Sequence, residues 1–331
     1  MANTIYILSA LNNGFFKPLT QWMSEHSSEK VELIESQHVN NLQLRCLLGA
    51  WKTFFKTKKG DRVVCMFDFQ GVLLYWICRV FITNRKIVII NVMNQARPGF
   101  VHKIMNYLFK VALSDSKHTV ATVTSKKYGE WLNEKLQMCT DYVLLHDCNY
   151  WYYKYAKDPN EEERNTIFCG GNNARDWDFI IKVAKEMPNV NFVMMPGTAC
   201  YNYYVDNGIP GNIKMYPNVP FDKFMEEELR ATIVAMPLNT EAPAGLISIF
   251  QAGINGKFTI ATKTATLEEY FVGNENALLE KDIEKWKDAI TYYLNHPEIR
   301  KSSALKLKSF LEDECSTENY NTTILAAVKR F

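Results

Sequence analysis

The sequence predicts an α/β fold with two doubly wound parallel sheets facing a common cleft, on three observations. Short β-rich runs alternate with helical patterns along most of the chain. The run Ile87, Val88, Ile89, Ile90 is apolar without interruption, as in strands covered on both faces. The alternation breaks off once, over residues 149–165, and then resumes. At 331 residues, 47% hydrophobic and 22% charged, the chain is long enough for two domains with separate cores.

Strands are expected at 4–8, 31–34, 62–67, 86–92, 119–124 and 141–146, with helices near 15–25, 40–56, 71–83, 100–112 and 125–136. Residues 149–165, an aromatic cluster followed by Asp158, Pro159 and an acidic run, read as a linker between domains 1–157 and 158–316. In the second domain strands are expected at 166–169, 191–195, 213–216 and 231–236, with helices at 177–187 and 222–229. A short helix begins after Gly245, a further strand follows it, and helices near 282–294, 298–312 and 317–330 complete the chain. In such sheets ligands bind beyond the C-terminal strand ends.

Composition narrows the class. The eight cysteines form no Cys-x-x-Cys pair and the N-terminus begins a strand, so reduced thiols and a cytoplasmic address are expected. The longest apolar run, 71–82, contains Arg79 and falls short of the ~20 residues that span a bilayer. His146, Asp147 and Cys148 lack a companion cluster and read as structural. Net charge is only +2, yet residues 1–157 carry 20 Lys and Arg against 11 Asp and Glu, and residues 158–331 carry 18 against 25. The basic half calls for an anionic partner. The helix over 42–59, with Trp51, Phe54 and Phe55 beside Lys52, Lys56, Lys58 and Lys59, reads either as a membrane-surface helix or as a core helix with a solvated end.

Residues 241–270 say most about function. After an apolar strand, Gly245 opens a helix whose first-turn N–H groups (Leu246, Ile247, Ser248) and dipole suit an anion. Ser248 adds a hydroxyl, Glu241 can meet a neutral hydroxylated group on that anion, and Lys263 follows the next strand. The first strand of this domain ends in Gly170, Gly171, Asn172, Asn173, Ala174, Arg175. Two glycines allow close backbone approach and Arg175 offers a forked donor, although the same pattern also marks an ordinary tight turn. The Gly-x-Gly-x-x-Gly signature is missing and the next strand ends without an acidic residue, which argues against a nicotinamide enzyme. Asp176 and Asp178 match a short metal-binding Asp-x-Asp motif, but they fall on a helix start, where acidic residues favour the dipole; no metal and no cofactor are expected.

Residues 241–270 resemble the C-terminal donor motif of GT-B glycosyltransferases, especially the retaining family four, with Gln251 where that family carries its second Glu. The glycine loop with Arg175 and the segment Asn218, Val219, Pro220 are similar to that fold's phosphate and nucleobase loops. The resemblance implies two Rossmann-like domains and a final helix, 317–331, packed back on the first. It also implies transfer of a sugar from a nucleotide diphosphate-sugar, of UDP type, to a saccharide or lipid-linked acceptor in surface polysaccharide assembly. In that reading Arg175, Gly245, Leu246, Ile247, Ser248 and Lys263 hold the diphosphate, Gly171, Asn172, Val219 and Gln251 the nucleoside, and Glu241 the transferred sugar. His102 is a second sugar or acceptor contact, or simply a structural histidine, and Gly14, Asn94 and Arg97 line the acceptor side. No nucleic-acid partner is implied. A nucleotide-sugar 2-epimerase and a non-catalytic nucleotide-sugar-binding protein remain as alternatives.

Overall fold

A computed structural model describes residues 3–11, 13–37, 39–148 and 163–331; most of the expected linker, 149–162, lies outside the described residues. The chain divides into two compact units, Met1–His146 with Glu318–Phe331, and Asp147–Thr317.

The first unit runs β1 (Thr4–Ser9), α1 (Lys17–His26), β2 (Lys30–Glu35), α2 (Leu42–Lys56), β3 (Arg62–Cys65), α3 (Asp68–Val80), β4 (Lys86–Ile89), α4 (Phe100–Ser114), β5 (Thr119–Val123), α5 (Lys126–Leu136) and β6 (Val143–Leu144). The strands form one parallel sheet in the order β2-β1-β3-β4-β5-β6, with Ile7 beside Leu33 and Val64. Helix starts follow local chemistry. Asn41 and Ser125 accept from the N–H groups of Leu44 and Tyr128 to cap α2 and α5, and Pro18 sits in the first turn of α1. Right-handed crossovers put α2 to α5 on one face and α1 on the other. β4 ends earlier than expected because Asn91 turns the chain at φ 43, its N–H reaching Thr122 Oγ1 at 2.7 Å.

The second unit runs β7 (Glu163–Gly170), α6 (Trp177–Lys185), β8 (Asn191–Met195), α7 (Thr198–Asn207), β9 (Ile213–Met215), α8 (Phe221–Arg230), β10 (Ala231–Met236), α9 (Leu246–Ile254), β11 (Thr259–Thr262), β12 (Leu278–Leu279), α10 (Ile283–Asn295) and α11 (Pro297–Asp313). Its sheet order is β12-β11-β10-β7-β8-β9, all parallel. Two elements escape the sequence pattern. α7 buries none of its residues and so carries no apolar period, and β12 is two residues long. Between β11 and β12 the chain forms a single 3-10 turn, Leu267–Glu269.

The last helix, α12 (Thr317–Val328), completes the first unit's core. Ile324, Leu325, Ala327 and Val328 pack in one cluster with Leu19 and Met23 of α1 and with Ile5, Ile7, Val64 and Val88 of the sheet. Each large side chain buried there contributes ~1.5–3 kcal/mol.

Ile324 is fully buried, so Ile324→Ala is expected to cost about 2–5 kcal/mol in urea unfolding followed by a probe of the first unit. A change under about 0.5 kcal/mol would mean that α12 is dispensable to that core.

Candidate functional site

In the second sheet β7, β8 and β9 progress one way and β10, β11 and β12 the other, so the helices after β7 and β10 leave on opposite faces. The gap between them is the switch point where open α/β sheets take ligands. Its loops are sewn together by backbone bonds. Asp176 N–H donates to the Pro237 carbonyl (3.0 Å), Asn239 N–H to that of Ala174 (3.1 Å), and Gly171 N–H to that of Met195 (3.2 Å). Leu238 N–H donates to Thr262 Oγ1 (2.9 Å), tying the β10 exit to β11.

Arg175 lies inside this weave, 8% exposed. Its Nε donates to the Gly170 carbonyl (2.8 Å), Nη1 to that of Asn173 (3.1 Å) and Nη2 to Ser248 Oγ (3.4 Å), so three of the five guanidinium N–H groups are engaged. Burial pulls its pKa below the ordinary arginine value without discharging it. Glycine is required on both sides of the guanidinium. At Gly171 (φ 101) a Cβ would stand 2.9 Å from Nη2, and at Gly245 (φ 77) 3.3 Å from Nη1 and 3.2 Å from Met236.

Gly245 is also the N-cap of α9. The helix has no side-chain cap and no acidic residue in its first turn, and its first backbone bond runs from Ile249 N–H to the Gly245 carbonyl. The N–H groups of Leu246, Ile247 and Ser248 therefore have no intrahelical acceptor. Leu246 and Ser248 are buried and Ile247 is exposed. Three backbone donors, the helix dipole and the guanidinium bonded to Ser248 stand together, an arrangement suited to a phosphate-like anion.

The other expected donor residues have definite places. Glu241 Oε2 accepts from Ala265 N–H (2.6 Å) and its carbonyl from Thr266 Oγ1 (2.7 Å), clamping the β10 loop to the β11 loop. Lys263, on that second loop, is exposed and pairs with Glu268 at 3.6 Å. Asn172 lies against Gly197, where a Cβ would meet its Oδ1 at 2.9 Å. Val219 is half-buried on the core, beside Asn218, which turns the chain at φ 47 and bonds to Thr198 Oγ1. Gln251 is buried on α9, with Oε1 unpartnered among the described residues. Asp176 and Asp178 are both committed. The first caps α6 through Phe179 N–H (3.1 Å) and pairs with Lys281 (2.6 Å), and the second accepts from the Tyr204 hydroxyl (2.6 Å).

Sequence reasoning missed Glu228. It closes the acidic run 226–228 on α8, a pattern that reads as a solvated face, yet it is fully buried and neither carboxylate oxygen has a hydrogen-bond partner among the described residues. Burial pushes its pKa well above the carboxylate range, against the opposing pull of Arg175 and of Lys257, itself buried.

In the first unit the expected acceptor-side residues gather at strand exits. Gly14 N–H is taken by Glu35 Oε1 (2.8 Å) after β1. After β4, Asn94 Oδ1 accepts from Ala96 N–H (2.6 Å) and its carbonyl from the Tyr128 hydroxyl (2.7 Å). Asp68 Oδ2 holds Met93 N–H of the same loop (2.8 Å). Arg97 and His102 are exposed on either side of the start of α4. On α2, Lys56 pairs with Glu32 (2.7 Å) and Lys52 donates to the Glu35 carbonyl (3.0 Å), while Trp51 and Phe54 pack with Phe81.

No family model and no curated protein sequence matches the chain. Solved structures do. Sucrose-phosphate synthase from Thermosynechococcus elongatus superimposes with a TM-score of 0.71 at 10% identity, covering 99% of this chain and 98% of that one. Anabaena HepE in complex with UDP gives 0.69 at 11% identity over 100% of both chains. Trehalose 6-phosphate synthase from Burkholderia multivorans gives 0.61 at 8% identity, covering 96% of this chain and 81% of that one. The likeness is one of fold: the chain has the two-Rossmann GT-B architecture.

Glu228→Gln removes a buried ionisable group whose folded pKa is raised. The wild type binds more protons folded than unfolded above the ordinary carboxylate value of 4.5, so its stability falls as pH rises from there. The Gln variant is therefore expected to match the wild type near pH 4 and to gain with pH, by at most about 1.4 kcal/mol per unit, in thermal melts run from about pH 4 to 8. A pH-independent difference would place the titration elsewhere. Glu241→Ala removes the carboxylate that accepts from the Ala265 N–H and is expected to cost about 1–3 kcal/mol, whereas Glu241→Gln keeps an oxygen there and stays within about 1 kcal/mol. Equal melting temperatures for the two variants would show that the clamp adds nothing.

Proposed function

We propose that the protein is a glycosyltransferase that moves a sugar from a nucleotide diphosphate-sugar, of UDP type, to a saccharide or lipid-linked acceptor, with retention at the anomeric carbon. The observation that carries this reading is the uncapped start of α9 beside the buried guanidinium of Arg175, at the switch point of the second sheet. The fold adds support, and one neighbour of that fold, HepE, was solved with UDP and with UDP-glucose.

In the reaction the bond from the anomeric carbon to the diphosphate oxygen breaks and a bond to an acceptor hydroxyl oxygen forms. The hydroxyl proton passes to the departing phosphate, so no side chain is needed as general base. Negative charge grows on the diphosphate as it leaves. The N–H groups of Leu246, Ile247 and Ser248, with the free donors of Arg175, are fixed in advance where that charge develops, the arrangement that stabilises a transition state most. Lys263 adds a mobile charge at the rim. Gly171, Asn172, Val219 and Gln251 take the nucleoside. Glu241, whose Oε2 is held by Ala265, presents Oε1 to the sugar, and His102, Gly14, Asn94 and Arg97 serve the acceptor side. Because the carboxylates of Asp176 and Asp178 are committed to Phe179, Lys281 and Tyr204, charge neutralisation falls to α9 and Arg175, and turnover persists in excess EDTA. The acceptor reading places the protein on the cytoplasmic side, in surface polysaccharide assembly.

The test begins with thermal shifts against UDP-, GDP-, ADP- and CMP-sugars, since a ligand of the native state raises its stability by mass action. UDP-sugars are expected to give the largest shift, and the ligand that does so is then incubated with and without acceptor. Conversion of the donor sugar without acceptor would replace transfer by epimerisation, and tight binding without turnover would leave a binding protein. Arg175→Ala is expected to weaken UDP by about 10–150-fold, the worth of a charge-assisted bond, while leaving uridine nearly unchanged. Equal losses of UDP and uridine in a folded variant would remove Arg175 from the phosphate site.

A further inference from the structure

α4 is apolar on two opposed faces. Phe109, Ala112 and Leu113 are buried, as a helix packed on a sheet requires. Phe100, Ile104 and Tyr107, at i, i+4 and i+7, share one exposed stripe with Val101 beside it, and their exposures are 79, 49, 60 and 68%. Phe109 follows Phe100 by nine positions, two and a half turns, and so lies opposite it. Every residue from Arg97 to Ile104 is exposed, so the helix begins clear of the unit it belongs to. Large apolar side chains gathered in one patch mark an interaction surface rather than ordinary scatter.

Charge selects the occupant. From residue 69 to residue 114 the chain contains no Asp or Glu, while Arg97, Lys103 and Lys110 fall on or just before α4 within that stretch. Lys103 and Lys110, seven apart, run along one flank of the stripe, and Arg97 precedes it. α2 is less well equipped, with Lys56 already paired to Glu32 and Lys52 held on the Glu35 carbonyl. None of the helices among the described residues is long and apolar enough to cross a membrane, so a lipid contact by a helix would be peripheral.

We propose that the first two turns of α4 seat on an anionic bilayer, with Phe100, Val101, Ile104 and Tyr107 entering the boundary between headgroups and acyl chains and Arg97, Lys103 and Lys110 meeting the phosphates. The inference rests on exposure and charge, independently of the donor chemistry. A lipid-linked acceptor would meet the protein at that surface.

The intact protein is sedimented with vesicles of phosphatidylcholine alone and with vesicles containing phosphatidylglycerol, at low and high salt. Wild type is expected to co-sediment with the anionic vesicles and to be released by salt. Phe100→Ser, Ile104→Ser and Tyr107→Ser together, all at exposed positions, should weaken binding at least about ten-fold. Lys103→Gln with Lys110→Gln should weaken it and flatten the salt dependence. Changing Lys52, Lys56, Lys58 and Lys59 to Gln should leave it near wild type. The melting temperature and the UDP-induced shift, measured on every variant, confirm folding and separate this result from that of the donor site. Wild type left in the supernatant with both vesicle types at low salt would overturn the proposal. So would binding lost with the four lysines of 52–59 and kept by the serine variant, or a wild-type dimer that the serine changes dissolve, which would make a second copy the occupant.

Discussion

A buried guanidinium sets the terms for the whole second unit. Arg175 is taken out of water, and such a charge is tolerated only when oxygen atoms surround it. The carbonyls of Gly170 and Asn173 and the hydroxyl of Ser248 supply them, which fixes the path of the β7 loop and the azimuth of α9 at once. Gly171 and Gly245 follow from the same demand, since a methyl group at either would press on the guanidinium. The donor arrangement of the candidate site is thus a by-product of a packing solution: what holds the loop also points donors at the gap.

Neighbouring carboxylates are arranged so as not to cancel that field. Asp176 and Asp178 are drawn off by Lys281, Phe179 and Tyr204, and one oxygen of Glu241 by Ala265. Glu228 is the exception in depth, a buried group that burial favours in its neutral form. A carboxyl in that form leaves the positive potential at the mouth of α9 largely intact, while an ionised one would draw it inward. The acidic balance of the second half and a positive switch point therefore coexist, because net charge says little about the field at one loop cluster.

Much of this was legible in the chain, for a physical reason that also explains the failures. β3, β4, β8 and β10 are covered on both faces, so their apolar runs stand out, and Asp176 marks the start of α6 by capping chemistry that acts within three residues. α7 buries nothing and left no period to read. The Gly245 helix start was readable because its signal is local. Glu228 was hidden because its burial is decided by how α8 lies against β7, β10 and α9, which no short window contains. α4 reads as an ordinary amphipathic helix from its buried side; the second apolar face becomes significant only once the structure shows Phe100, Val101, Ile104 and Tyr107 exposed.

The last helix carries a consequence in time. The sheet of the first unit is complete in sequence by Leu144, yet the cluster that covers Ile5, Ile7 and Val88 needs Ile324 and Val328. During synthesis, which runs from the N-terminus at ~5–20 residues per second, that face of the sheet has α1 but lacks the part of its cover that α12 supplies while the entire second unit is made. The unit that emerges first is the one finished last, so the interval between the two events is the period in which a nascent chain most needs something to shield it.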